Sequence, residues 1–443
     1  MKNAHPIKHW DAVILGSGVS GLVSASSLIK AGLSKIVILD EYSHIGGNHI
    51  DVSIGNYTFD IGSFFFQDDS PILNHFPELL HHYHQGDYEM TRLSPQGRIT
   101  RYPISLIDDV VRAGPIEWAR ILTSLALGRT FRDPNSDALS FAQYWLGRRF
   151  VERSGLATYM KRFYGVEPDK MDAEFARKRM GWIPTHANLR GVLGQRARAP
   201  SRSNRELVRP REGFQALYSI ARESLANRGV TFGFGEDFHS ITVDTERKVT
   251  VSTSARVATS EIFVSTIPIK RTLSLAGLPS ADILDSVDLL TLFFSFEGNR
   301  GFKPSVLYNF HQEGAWKRVT MHSDFYGPAD GREYFSAEVN ATHVGGNVEA
   351  AERDFRQHVG ARGLFSGDLK LEGGRITANA YPIYVAGAAE AAQAAIKRLH
   401  DFGVLSFGRQ GGFDYQPTAR QSTIVAESAI SALVAPPQHK ALL

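Results

Sequence analysis

The 443-residue sequence predicts an α/β chain of more than one domain. Three observations carry that expectation. Residues Ala12–Asp40 read as strand, helix, strand in about 30 residues. Helical patterns dominate from Ile104 to about Leu193. A β-rich stretch then runs from Leu289 to about Ala341, ahead of two closing helices.

The elements follow in order. "AVILG" (Ala12–Gly16) is small and branched, as a buried strand requires. "GLVSASSLIKAG" (Gly21–Gly32) has helical periodicity and stops on a glycine. "KIVILD" (Lys35–Asp40) is a second buried strand, and Gly55–Phe66 reads as a strand pair or a strand plus turn. After the helical stretch comes an arginine-rich, loop-like segment, Gly194–Gly213, readable as a solvated linker or an anion-binding edge. Phe214–Gly229 is an amphipathic helix, followed by short strands and by the strand Glu261–Pro268. Ala388–Gly403 is a helix, Val404–Gly408 a strand and Thr418–Val434 the last helix.

Composition narrows the chemistry. Hydrophobic residues make up 43% and charged residues 21%, a mix ordinary for a globular chain. A net charge of +3 is far from a nucleic-acid-binding signature and suits an anionic small molecule. There is no cysteine, which excludes disulfides, zinc–thiolate sites, iron–sulfur clusters and cysteine catalysis. The 16 histidines form no metal-like cluster in sequence, and His81-His82-Tyr83-His84 reads as a solvated loop or helix end. No signal peptide is visible and no apolar run reaches the roughly 18 residues that span a bilayer, so a cytoplasmic location is expected.

Two glycine clusters carry the functional signal, Gly16-Ser17-Gly18-Val19-Ser20-Gly21 and Gly46-Gly47-Asn48. The first follows a strand and opens a helix, the context of a dinucleotide fingerprint. Gly16 makes the turn, Gly18 lets a pyrophosphate approach the backbone, and Gly21 lets the helix pack on the strand. The helix N-terminus offers unpaired N–H groups. Asp40 ends the second strand, where an acid accepts from a ribose hydroxyl. These features predict a Rossmann-type domain binding an unphosphorylated adenine dinucleotide.

The second cluster separates FAD from NAD. FAD reaches past the end of the second strand, and a glycine pair there admits its diphosphate and flavin side chain. FAD is therefore the expected cofactor.

At "ILDEYSHIGGNHID" (Ile38–Asp51) the sequence resembles the UDP-galactopyranose mutases and the wider flavin amine oxidoreductase superfamily, which includes protoporphyrinogen-oxidase-like and phytoene-desaturase-like proteins. The His44–Asn48 string is mutase-like. Tyr159–Met180 resembles the mutases' helical "K-x-W-G-x-x-P-x-x-L-D-A" segment, with Tyr164 where Trp is usual. "RPREGFQAL" resembles the superfamily's "P-x-G-G-x-x-x-L" helix, followed by the adenine strand with Phe238 in place of Val. "FVSTIP", "NAYPIY" (Asn379–Tyr384) and "FGRQGGFDY" (Phe407–Tyr415) match later motifs.

The resemblance implies a discontinuous FAD-binding domain (1–80, 205–275 and 395–443), a helical domain (104–197) and a β-sheet substrate domain (81–103 and 276–394). It implies further cofactor contacts from Glu41, Gly62, Ser63, Phe238, Thr266, Gly408, Arg409 and Thr418. Arg409 is expected on the FAD diphosphate. Tyr415 is expected on a substrate diphosphate or, equally, as a packing aromatic. Tyr381, Tyr415 and Phe64 are candidates beside the flavin; Arg205, Arg209, Arg211, Tyr384 and Tyr415 are candidates for binding substrate.

The sequence also departs from the mutases. Gly62-Ser63-Phe64 stands where they show "G-P-H", so Phe64 replaces an imidazole. Tyr415-Gln416-Pro417-Thr418 stands where they show "Y-x-D-M". Three functions stay open. One is a mutase-like pyranose/furanose isomerisation of a nucleotide sugar, with reduced flavin N5 as the reactive atom and no side-chain nucleophile. Another is a flavin oxidase, dehydrogenase or desaturase removing hydride from a small molecule, favoured by the Phe runs Ser63–Phe66 and Leu292–Phe296. The third is a flavoprotein scaffold without turnover. Expected partners are a small molecule and a second copy of the chain in a homodimer, with no nucleic acid and no metal.

Overall fold

The computed structural model describes residues 6–62, 65–86, 88–181, 183 and 206–435. Its centre is a parallel sheet in the order Thr231–Phe234, Ile36–Asp40, Ala12–Leu15, Ile262–Ser265, Leu405–Ser406. Ala12, Val13, Ile14 and Leu15 are each 0% exposed, as a strand covered on both faces must be. The helix Val19–Lys30 lies on one face and packs against Ala419–Val434 and Phe214–Ala226. Its small residues Ser24 and Ala25 are fully buried, which lets the neighbouring helices come close.

A four-stranded sheet adjoins it, ordered Ile7–His9, Val257–Ser260, Val249–Thr253, Phe238–Val243. The helix Ala388–Phe402 packs beside it through Ala388, Ala392, Ala395 and Leu399, a spacing that puts one stripe on the core.

A seven-stranded sheet forms the other half of the molecule. Ser286–Arg300 pairs with Phe365–Pro382 on one side and Glu333–Asn340 on the other. Trp316–Met321, Val306–Asn309, Met90–Leu93 and Ile99–Arg101 complete it. The phenylalanine run Leu292–Phe296 lies inside this sheet and is buried throughout, so it is core. The sequence reading did not identify the helix Val348–Ala361 or the 18-residue strand Phe365–Pro382. The helix buries Ala351, Phe355 and Val359 at spacing four and is capped by Asn347, which accepts from the Ala350 N–H at 2.7 Å. The strand alternates weakly, because its outer face is solvated.

The helices Pro115–Phe131, Ala138–Leu146, Arg148–Ser154, Leu156–Tyr164 and Ala173–Met180 pack on one another, and Leu156–Tyr164 packs on Trp316–Met321 and Glu333–Asn340. The pattern from Asp137 to Gly165 reads in sequence as one helical stretch, but it breaks into three helices. Gly147 (φ +80°) and Gly155 (φ +75°) take left-handed turns there. No helix among the described residues is long and apolar enough to cross a membrane.

Candidate functional site

All five parallel strands point their carboxyl ends the same way, and a cleft of about 430 Å³ opens beyond them. It sits where the chain order reverses, between Ala12–Leu15 and Ile262–Ser265. Gly16, Asp40 and Thr266, which end or follow three of the strands, all line it.

The two glycine clusters meet here. The Gly46 N–H donates to the Ser17 carbonyl at 3.1 Å. A Cβ built on Gly47 (φ +61°) would stand 3.0 Å from the Gly18 Cα. A Cβ on Gly16 would lie 2.3 Å from Thr266 Oγ1, and one on Gly21 only 1.9 Å from the Gly16 carbonyl oxygen. The turns are packed backbone against backbone, so side chains are excluded from their contact. Gly18 is the N-cap of the helix Val19–Lys30, without a side-chain cap or an acid in the first turn. Its exposed N–H groups are left for a ligand.

Asp40 fastens this turn. Its Oδ2 accepts from the Ser17 backbone N–H at 2.6 Å and from Ser17 Oγ at 2.7 Å, and its Oδ1 accepts from the Tyr42 N–H at 2.9 Å. Burial raises its pKa, against the pull of the Ser17 and Tyr42 hydrogen bonds. Glu41 also lines the cleft. It pairs with Arg271 at 2.6 Å, and Arg271 donates to the Phe238 carbonyl at 2.8 Å. Phe238 itself is buried in the first position of its strand.

The far wall carries Arg409 and Thr418, with Gly408 buried behind it. Gly408 (φ +86°) passes so close to the first turn that a Cβ there would meet Ser20 Oγ at 2.8 Å. Thr418 caps the last helix, and Thr266 Oγ1 donates to the Leu15 carbonyl at 2.9 Å. Arg409 lines the cleft with its Nε buried and without a hydrogen-bond partner. Among the described residues no carboxylate pairs with it; its neighbours are tyrosines, and its guanidinium stands 5.7 Å from the Tyr381 ring centre. Burial lowers its pKa, partly offset by Tyr415, Tyr381 and Tyr164.

His49 was missed in sequence, although it directly follows Gly46-Gly47-Asn48. It lines the cleft, stacks on Phe214 at 5.0 Å, and its Nδ1 meets the Tyr218 hydroxyl. Burial, and then the charge of Arg409, push its pKa down to about 4, so the ring is neutral near pH 7.

Beyond Arg409 the surroundings turn aromatic. Tyr381 stacks on Phe163 at 4.9 Å and hydrogen-bonds Lys317 through its hydroxyl. Lys317 is buried and pairs with Glu338 at 3.0 Å; Arg318 pairs with the same carboxylate. Burial works against that carboxylate, but the two cations prevail and hold its pKa at about 2. Tyr415 packs edge-on to Phe175 at 5.8 Å. Tyr384 is a strap: its hydroxyl donates to the Phe413 carbonyl at 2.9 Å and accepts from the Tyr415 N–H at 2.7 Å.

The arginine candidates do not gather here. Arg209 is 0% exposed and fully committed inside the fold: Nε pairs with Asp60 at 2.5 Å, and the other donors reach the Thr58, Pro210 and Arg211 carbonyls. Arg211 is exposed. Arg205, Ser63 and Phe64 lie outside the described residues, and Gly62 (φ +90°) ends the described stretch before them.

One histidine cluster does form in space, from residues too far apart in sequence to suggest it. His311, Glu313 and His358 bring ligand atoms within 4.8 Å of one another. Hydrogen bonds already use the facing nitrogens. The Trp316 Nε1–H, a donor only, reaches His358 Nδ1 at 2.9 Å, so His358 Nε2 carries the proton that points at His311 Nδ1, 3.2 Å away. This arrangement explains the cluster as a buried hydrogen-bond chain.

Comparison with known proteins agrees with the cleft. A family model described as an NAD(P)-binding Rossmann-like domain matches residues 14–79. The chloroplastic prolycopene isomerase of Daucus carota is 38% identical over 56 residues, which are 13% of this chain and 9% of that protein. Among solved structures, reduced UDP-galactopyranose mutase superimposes with a TM-score of 0.78 at 19% identity, over 96% of this chain and 94% of that one. A candidate protoporphyrinogen oxidase from Exiguobacterium sp. 255-15 gives 0.72 at 16% identity, over 96% and 98%. A putrescine oxidase variant gives 0.61 at 13%, over 97% and 99%. The chain thus carries a Rossmann-like dinucleotide-binding domain within the overall fold that UDP-galactopyranose mutase and putrescine oxidase share.

Proposed function

We propose that the protein is an FAD-dependent enzyme, with FAD lying along the cleft that both glycine turns line. The observation that carries this reading is the packing of Gly47 on Gly18 with the partnerless Arg409 Nε in the same cleft. A dinucleotide confined to the first turn would leave the second turn and Arg409 without a ligand. The residues fit: Gly16–Gly21 and the helix N-terminus for the pyrophosphate, Asp40 and Glu41 near the adenosine ribose, Phe238 near the adenine. Gly46, Gly47, Asn48, Thr266, Arg409 and Thr418 would line the remainder. Bound FAD supplies hydride and electron transfer at its ring system. The chain's part is to hold the diphosphate, exclude water and orient the substrate.

For the substrate, the aromatic surroundings favour redox or isomerase chemistry on an apolar small molecule. Phe163, Tyr164, Phe175, Tyr381 and Tyr415 pack on one another as an apolar aromatic layer behind Arg409. A second reading is ring isomerisation of a nucleotide sugar. It is favoured by Tyr381 and Tyr415 beside Arg409, hydroxyl donors suited to a substrate diphosphate, and by the likeness of fold to the mutase.

The readings separate spectroscopically. Dithionite-reduced protein is titrated with UDP- and dTDP-sugars while the flavin absorbance is followed. Saturable perturbation supports the sugar reading; silence in both redox states sinks it. Anaerobic bleaching of the oxidised flavin by an apolar substrate, without dithionite, supports the redox reading.

A further inference from the structure

The helix Pro115–Phe131 buries little of itself. Glu117, Ile121 and Gly128 are its buried residues, while Ile116 is 72% exposed, Leu122 65%, Leu127 53% and Phe131 76%. With Val111 and Trp118, these are half of the twelve large apolar side chains that the described residues expose. An ordinary surface scatters such residues singly; here Ile116, Leu127 and Phe131 share one side of a helix about 25 Å long, with Trp118 and Leu122 on another side.

The helix also borders a groove of about 840 Å³. Ile116, Leu127 and Phe131 line it beside Arg120, Arg132 and Arg148, and no acidic side chain does. Two neighbouring acids are already engaged: Glu117 is buried against Arg149 and lies 3.5 Å from Arg120, and Glu152 meets Arg148 at 2.7 Å; Asp133, beside Arg132, is exposed. Arg148 is 71% exposed there, and pairs that open to water are weak enough to be shared with another anion. Behind the helix, Arg129 lies 4.2 Å from the Trp145 ring centre and 4.7 Å from that of Tyr144, an aromatic and cationic rim.

We propose that this face docks the protein on an anionic lipid bilayer, with the helix lying in the plane of the interface. Ile116, Leu127 and Phe131 would enter the headgroup region and the arginines would meet lipid phosphates. Charge selects this occupant over a second copy of the chain. A two-fold contact through this face would bring Arg120, Arg132 and Arg148 near their own copies, and the groove lining supplies no acid to face them.

The test is sedimentation with vesicles, comparing pure phosphatidylcholine with an equal mixture of phosphatidylcholine and phosphatidylglycerol. Wild-type protein should pellet with the mixed vesicles, stay soluble with the neutral ones, and be released by high salt. L127S/F131S and R120Q/R132Q should each cut the bound fraction about tenfold or more. Unchanged circular dichroism and melting temperature would establish that both variants fold. Wild type that ignores mixed vesicles, or variants that bind like wild type, would overturn the proposal. So would light scattering that shows a dimer dispersed by F131S, which assigns the face to a second copy.

Discussion

Gly47 and Gly18 meet backbone to backbone: a Cβ on Gly47 would stand 3.0 Å from the Gly18 Cα. The reverse is not symmetric, because a Cβ on Gly18 would be 3.6 Å from the Gly47 Cα, an ordinary contact, and Gly18 has φ −72°. The protein alone tolerates a methyl at Gly18, whereas the proposed pyrophosphate does not. Gly18→Ala should therefore melt within about 1 kcal/mol of wild type yet be purified without FAD. Gly47→Ala, strained at φ +61°, should lose about 1–2 kcal/mol as well as the cofactor. Calorimetry and flavin content per chain read both outcomes.

Arg409 gives a charge test. Arg409→Ala removes a guanidinium that no carboxylate among the described residues compensates. A charge-assisted hydrogen bond contributes about 1.5–3 kcal/mol, so FAD affinity should fall roughly tenfold to a hundredfold. Arg409→Lys should recover part of it. Unchanged flavin binding by Arg409→Ala would contradict the assignment.

Much of this cleft was legible in the sequence because its signals are local. Gly16–Gly21 and Gly46–Asn48 sit next to the strands that present them, and Arg409 follows its strand by three residues. His49 escaped because nothing local marks it; Phe214 and Tyr218, which hold its ring, are more than 160 residues away. Arg209 looked like a phosphate ligand because its buried partner Asp60 is equally remote. Lys317 and Glu338 form a pair only through the register of adjacent strands. The helix Val348–Ala361 was missed because its buried stripe is only three residues wide.

The Lys317–Glu338–Arg318 group is the part of the aromatic side most sensitive to substitution. Glu338→Gln removes the carboxylate charge that Lys317 and Arg318 share in the interior. Breaking such a group costs about 3–5 kcal/mol. Urea unfolding should register that loss; a change below about 1 kcal/mol would show that the cations find water.

His49 predicts an acid limb. It takes up a proton near 6.5 when unfolded but only near 4 when folded. Between those values the unfolded chain binds more protons. The stability from neutral His49 is thus complete above pH 6.5 and lost as pH falls toward 4. The ring is partly open to the cleft, so about 2 kcal/mol is expected. His49→Gln should flatten that stretch of the stability–pH curve relative to wild type, and parallel curves would contradict the assignment.

FAD is proposed to fill the cleft that both glycine turns line. The most direct measurement is the absorption spectrum of natively purified protein, followed by denaturation and chromatographic identification of whatever is released. The account predicts a yellow protein with flavin bands, one FAD per chain, and no flavin in Gly18→Ala. A colourless protein that takes up no added FAD, or one that releases NAD instead, would contradict it.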